Sequence, residues 1–218
     1  MNKVAVIDYG MGNLHSVTKA IEHAGTELKG ETKVFVTSDA YEISQADQVI
    51  FPGAGARRDC MAEIRRRKVD HIIQEAITKK PVLAICVGMQ ALMLTSEENG
   101  GVECLGVIKG KVKHFGDPLM DHAGKTLKVP HMGWNQVSRT KAHPLWRDIP
   151  DDSRFYFVHS YYVTSDEKKR VAGTANYGLD IVACLSDTNI FAVQFHPEKS
   201  QEVGLSLLRN FLTWDGRE

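Results

Sequence analysis

From Val4 to Met93 the sequence alternates short apolar runs with amphipathic helical stretches, and that alternation admits few architectures. Val4-Ala-Val-Ile7 reads as a strand. It is followed by Asp8-Tyr-Gly-Met-Gly-Asn13 and a helix with Leu14, Val17, Ala20, Ile21 and Ala24 on one face, stopped by Gly25. Val34-Phe-Val36 is the next strand, Ser38 or Asp39 caps a short helix, and Val49-Ile-Phe51 is a third strand ending in Pro52-Gly53-Ala54-Gly55. A helical stretch with Ile72, Ile73, Ala76 and Ile77 leads into Pro81-Val-Leu-Ala-Ile-Cys86. Repeated units of this kind predict an α/β chain with a mostly parallel central sheet and helices on both faces. Beyond about residue 105 the pattern turns β-rich, with strands expected at Gly106-Val-Ile108, Trp134 to Val137, Phe155 to Val163, Ile181 to Leu185 and Ile190 to Phe195. A last helix from about Gln201 to Thr213 turns Val203, Leu207, Leu208 and Phe211 inward. With 218 residues and 43% hydrophobic content, the expectation is one domain over residues 1–218.

Charge narrows the partners. Lys+Arg and Asp+Glu both number 27, so no long-range field favours nucleic acid or an anionic membrane, and a small molecule or a protein is the expected partner. Cys60, Cys86, Cys104 and Cys184 have neither metal-ligand nor disulfide-scaffold spacing, which predicts reduced thiols in a soluble cytoplasmic protein without a metal. No apolar run has the length of a signal segment or a membrane span. Gly10-Met-Gly12-Asn13 follows a strand, but His15 stands where a dinucleotide fingerprint has its third glycine. With no phosphate loop and no His-Glu-x-x-His motif either, no cofactor is expected. The basic run Arg57, Arg58 and Arg65 to Lys68 reads as a solvated helix face.

Two clusters carry chemistry. In the first, an apolar strand ends on Cys86 and turns at Gly88 into a helix with Met89, Leu92 and Met93. A lone cysteine in such a strand is by default structural. Here the strand stops at the cysteine, a glycine follows two residues on, and strand C-termini of parallel sheets are where ligands bind. The second cluster is Gln194-Phe-His196-Pro-Glu198. Pro197 favours extended geometry before it, side chains two apart then share a side, and Glu198 reaches one imidazole nitrogen while the other faces the thiol. Nucleophile, base and orienting carboxylate together predict acyl transfer by Cys86, His196 and Glu198. Pro52-Gly53-Ala54-Gly55 is either a plain turn or an oxyanion loop in which Gly53 and Ala54 offer backbone N–H groups beside that of Val87. His131 and His159 are the next histidines of interest, as structural or substrate-positioning groups.

The two clusters and the Pro-Gly-x-Gly loop resemble those of the class I (triad) glutamine amidotransferases, over essentially the whole chain. Asp8-Tyr-Gly-Met-Gly-Asn-Leu14, Pro130-His-Met-Gly-Trp-Asn135, Tyr156-Phe-Val-His-Ser-Tyr161 and His196-Pro-Glu-Lys-Ser200 resemble, more narrowly, the glutaminase subunits of imidazole glycerol phosphate synthases. Ala84 and Ala54 depart from residues common in the elbow and the oxyanion loop. The resemblance implies a flavodoxin-like fold and glutamine hydrolysis through a cysteine thioester. It also implies a heterodimer with a separate (β/α)8-barrel cyclase of histidine biosynthesis, to which ammonia passes. It places Gly55, Gln90, Glu98, Ser160 and Tyr161 at the glutamine, and Asn13, Trp134 and Lys199 at an interface or gate; Trp134 read alone is equally a core aromatic. Two other readings share these residues: a subunit serving a different acceptor synthase, and a self-sufficient cysteine hydrolase.

Overall fold

The computed structural model describes residues 1–53 and 57–217, with the side chains of Arg57, Arg58 and Asn99 left aside. The first half is the expected series: β1 (Asn2–Ile7), α1 (Leu14–Thr26), β2 (Thr32–Thr37), α2 (Ala40–Ser44), β3 (Gln48–Phe51), α3 (Arg57–Arg66), α4 (Val69–Lys79), β4 (Val82–Ile85) and α5 (Val87–Ala91). β1 lies between β2 and β3, β3 pairs with β4, and all these pairings are parallel. β3 and β4 are buried at every position, because helices cover both faces and no alternation is needed. Asp39 caps α2, its carboxylate accepting from Glu42 N–H at 2.9 Å. The basic run is a solvated face in part: Arg66 and Arg67 pair with Glu63 at 2.7 and 3.2 Å on the surface.

β4 is also the seam of the molecule. On its other side the Ile190–Val193 strand runs parallel to it, with Ile190 opposite Val82 and Val193 opposite Ile85. From that strand as far as Gly110–His114 the sheet is antiparallel, passing through Asp180–Asp187 and Tyr161–Ser165, with a branch from Asp180–Asp187 through Val171–Asn176 to His131–Arg139 and Ser153–His159. The C-terminal helix Gln201–Thr213 buries Gly204, Leu207, Leu208, Asn210, Phe211 and Leu212, while Val203 is half-buried. With the apolar residues of β1 to β4, Leu207, Leu208, Phe211 and Leu212 belong to one continuous core.

Three expectations need correction. Gly106-Val-Ile108 is not a strand: Gly106 N–H donates to Met93 O, and both Val107 and Ile108 N–H to Leu92 O, so the segment satisfies the carbonyls at the end of α5. The strand of this region is Gly110–His114. Phe155 to Val163 is two strands, because at Ser160 the chain changes partner, from His131–Arg139 to Gly110–His114. Gly25 does not stop α1, which runs to Thr26; a Cβ at Gly25 would sit 2.9 Å from Thr32 Cβ, so the glycine lets the helix lie close on β2.

Candidate active site

Cys86 occupies the residue between β4 and α5 with φ +54° and ψ −108°, a conformation rarely adopted by a residue with a side chain. Its N–H donates to Val193 O at 2.7 Å, and its carbonyl accepts from Gln90 N–H at 3.1 Å, so neighbours on both sides hold the strained turn. Close packing beneath it depends on two glycines. A Cβ at Gly88 would lie 2.1 Å from Phe51 O, and one at Gly53 would lie 2.8 Å from Gly88 N. The start of α5 therefore rests directly on the end of β3. Ala84 is fully buried in the strand below, and its methyl group is accommodated there.

His196 follows the strand paired with β4, two residues beyond Gln194, and is 5% exposed. Its Nδ1 lies 2.7 Å from Glu198 Oε1, and it shares the wall of one cavity with Cys86, whose sulfur acts on its charge. The three predicted triad members therefore meet. The route differs from the expected extended segment: Pro197–Lys199 is a turn of 3-10 helix, which curls Glu198 back onto the ring. Ser200 secures this turn, its Oγ donating to His196 O at 2.7 Å and accepting from Tyr156 N–H at 3.0 Å. Burial opposes charge on His196, but the Cys86 sulfur and the Glu198 carboxylate outweigh it and push its pKa up to about 10. At neutral pH the ring is an imidazolium. Glu198 Oε2 is buried with no partner among the described residues, so this carboxylate is committed to His196.

These groups face a cavity of about 410 Å³. Gly53, Val87, Gln90 and Glu98 line it, as do Ser160 and Tyr161, and Asn13 and Lys199 stand at its wall. The N–H groups of Gly53 and Val87 have no backbone acceptor among the described residues, leaving both available to an anion. Ala54 and Gly55 lie outside the described residues. Asn13 also caps α1, its side-chain oxygen accepting from Ser16 N–H at 3.2 Å. Trp134 is set apart, 38% exposed with an edge contact to Tyr156, so it is not a core aromatic. It borders a separate depression with Arg154 and Ser200.

Three side chains without an assigned part in the sequence reading stand at this site. Tyr9, fully buried, donates its hydroxyl to Pro52 O at 2.8 Å and so fixes the peptide that carries the Gly53 N–H; burial, with Cys60 and Cys86 nearby, raises its pKa and keeps it protonated. Gln194 places Nε2 3.6 Å from Cys86 Sγ. Ser200 is the third. Gln194 was findable, because it precedes His196 by two residues at the end of a strand; Tyr9 and Ser200 needed the tertiary contacts. His131 and His159 form a buried pair, Nδ1 to Nε2 at 2.9 Å, and burial lowers their pKa values to about 4 and about 3. Among the described residues no cluster suits a metal ion, and no helix is long and apolar enough to cross a membrane.

The profile of the family described as glutamine amidotransferase class-I matches residues 5–214. The chain belongs to this family. Its similarity to individual members extends from end to end. A protein of Pseudomonas syringae pv. syringae named imidazole glycerol phosphate synthase subunit HisH is 58% identical over 217 residues, 100% of each chain. One of the same name from Acinetobacter baylyi is 52% identical over 216 residues, 99% of this chain and 100% of that one. A crystal structure described as glutamine amidotransferase superposes with a TM-score of 0.68 at 14% identity, over 96% of both chains, and shows the same fold. The elbow, the imidazole and its carboxylate thus stand in an amidotransferase whose relatives are HisH subunits.

Proposed function

We propose that this chain, acting as a single amidotransferase domain over residues 1–218, hydrolyses glutamine and passes the ammonia to a cyclase subunit of histidine biosynthesis. The observation that carries the activity is a His196 imidazolium paired to Glu198 at 2.7 Å and standing with Cys86 on the wall of one cavity. Cys86 sulfur attacks the side-chain amide carbon of glutamine. The developing oxyanion is held by the N–H groups of Val87 and Gly53, with Ala54 adjoining, and His196 protonates the departing ammonia. A γ-glutamyl thioester remains. His196, now neutral, takes a proton from water as the water adds to the thioester carbon, and glutamate leaves as the C–S bond breaks. Gln90, Glu98, Ser160 and Tyr161, which line the cavity, hold the glutamine, and the family resemblance adds Gly55 to them.

The acceptor follows from the full-length similarity to HisH subunits, whose name makes each a part of a synthase. The partner proposed is a barrel-shaped cyclase forming a heterodimer, with Asn13, Trp134 and Lys199 at the contact or gate, in the cytoplasm. Ammonia released into neutral water would be protonated and lost as a nucleophile, so the two subunits must enclose it. Glutaminase rate is the test, measured for the chain alone, then with a barrel cyclase and its nucleotide ligand, beside Cys86→Ala. A low rate that rises many-fold with the partner and vanishes in the control is expected. A high rate indifferent to the partner would replace this reading with a self-sufficient hydrolase, and no rate under any condition would point to another acceptor synthase.

A further inference from the structure

Among the described residues two side chains bring nitrogen toward the Cys86 sulfur, His196 of the triad and Gln194 outside it. His196 approaches as an acid that gives up its proton during the reaction. Gln194 approaches through its side-chain amide, Nε2 at 3.6 Å from Sγ, and is fully buried. The register explains why: Val193 lies opposite Ile85, so the next residue on each strand meets its counterpart.

Which end of the Gln194 amide faces the sulfur is decided by a chain of hydrogen bonds that begins at a backbone carbonyl. Tyr161 O can only accept. It takes a hydrogen bond from Gln90 Nε2 at 2.8 Å, which fixes the orientation of the Gln90 amide. The same Nε2 donates its second hydrogen to Gln194 Oε1 at 2.8 Å. With its oxygen so occupied, Gln194 must turn its NH2 toward Cys86. Reversal would set N–H against N–H at Gln90 and an oxygen against the sulfur. Each such buried mismatch is expensive. Tyr161 O is held from its other side by His159 Nδ1 at 2.8 Å, which leaves His159 Nε2 to accept from His131 Nδ1. Asn135 Nδ2 completes the series at His131 Nε2, 3.4 Å away. Because burial keeps both histidines neutral, the tautomers and the direction of every bond in the chain are set.

We propose that Gln194 is a further catalytic residue, a fixed N–H donor to Cys86 Sγ that favours the anionic sulfur and is aimed by Gln90 and the Tyr161 carbonyl. The role deepens the glutaminase reading above and rests on it for the reaction. Unlike His196, this donor carries no proton that titrates in the working range, so it serves sulfur twice. It favours the thiolate before attack, and when the C–S bond of the thioester breaks it stabilises the electron pair returning to sulfur. Between those moments the thioester sulfur is a poor acceptor, so the bond raises the share of anionic sulfur available for attack and assists bond-breaking without trapping the intermediate.

The test reads the sulfur directly. Alkylation of Cys86 by iodoacetamide is followed against pH in the full chain, with Cys86→Ala subtracting the other cysteines, for wild type, Gln194→Met and Gln194→Glu. Met keeps roughly the volume and removes the donor; Glu keeps the shape and places oxygen on both sides. Loss of a hydrogen bond to an anion corresponds to roughly tenfold less reactive sulfur at neutral pH, so the alkylation midpoint should move upward by about one pH unit in Gln194→Met and farther in Gln194→Glu. Both kcat and the rate of thioester breakdown should fall with it, while KM holds. Gln90→Met guards against misfolding of the Gln194 variants: with Gln194 free to turn over, the midpoint should move the same way by a smaller amount. An unchanged midpoint in a folded Gln194→Met would overturn the proposal even if glutamine hydrolysis persists. A shifted midpoint in a chain that never hydrolyses glutamine would leave the Gln194 contact standing and remove the glutaminase reading.

Discussion

The two halves of this molecule bring their groups to the same cavity by opposite means. The parallel half positions Cys86 with backbone: a strained φ of +54°, a glycine whose missing Cβ admits Phe51 O, and a strand buried at every position. The antiparallel half positions its groups with side chains: Glu198 on the His196 ring, Ser200 beneath the turn, and on Gln194 the series from Asn135 through the two histidines, joined by Gln90 of α5. In the proposed reaction the nucleophile needs a fixed place and open approach, which backbone supplies without crowding. A base must hold and release a proton, and that requires neighbouring polar groups whose own protons are fixed.

This contrast predicts its largest separation at Cys86 itself. Cys86→Gly should lower glutamine hydrolysis by a factor on the order of 10⁴ or more. The same change removes a strain of about 1–3 kcal/mol from the elbow, so the inactive variant should melt at a higher temperature than the parent. Calorimetry beside an activity assay checks both halves of the statement. A variant that melts lower would mean that the turn is not strained, and the backbone account of the parallel half would fall.

On the other side of the cavity, Glu198→Gln should leave folding nearly intact and reduce the rate about 10²-fold, since the imidazole stays in place but loses the carboxylate that supports its charge. The sign on pH follows from the raised pKa of His196. Its imidazolium is present below about 10 and lost above it, so the wild-type rate should fall on the alkaline side as pH approaches 10. In Glu198→Gln that fall should begin at lower pH. An alkaline limb that stays where it was would separate Glu198 from the proton chemistry.

The same comparison accounts for what the sequence disclosed. The parallel half was legible almost element by element, because β1 to β4 and their helices obey hydrophobic period, and an elbow is announced by a strand that stops at a cysteine before glycine. The family resemblance, resting on Phe195-His-Pro-Glu198 and its neighbouring motifs, extended the reading to the second half. What stayed hidden was mostly polar and antiparallel. Val107 and Ile108 are apolar enough for a strand, yet their N–H groups are used by Leu92 O, and no local pattern records that competition. Ser160 breaks one β-rich run because the chain exchanges partners there, a property of topology. Tyr9 and Ser200 act through bonds spanning more than forty positions.

Acid stability isolates the histidine pair of the antiparallel half. His131 and His159 are held neutral, with pKa values lowered from 6.5 to about 4 and about 3. The unfolded chain therefore binds protons that the folded chain refuses, and stability present above pH 6.5 is lost as pH falls. Each histidine contributes about 1.4 kcal/mol per pH unit over that fall. Urea midpoints of wild type and His131→Gln between pH 6.5 and 4.5 should show a shallower decline in the variant by about one histidine's share. Parallel declines would place the pair outside the acid sensitivity.

The smallest effect tests whether a backbone device of the parallel half also serves recognition. Asn13 caps α1 and stands at the cavity wall. As a cap alone, Asn13→Ala should cost about 1 kcal/mol of stability, and Asn13→Asp or Asn13→Ser should restore it. Glutaminase stimulation by the partner would then be unchanged in all three variants. If Ser and Asp restore the melting temperature but not the stimulation, the asparagine amide itself contacts the partner. The parallel half would then contribute a specific side chain to docking, and its division of labour with the antiparallel half would hold for catalysis only.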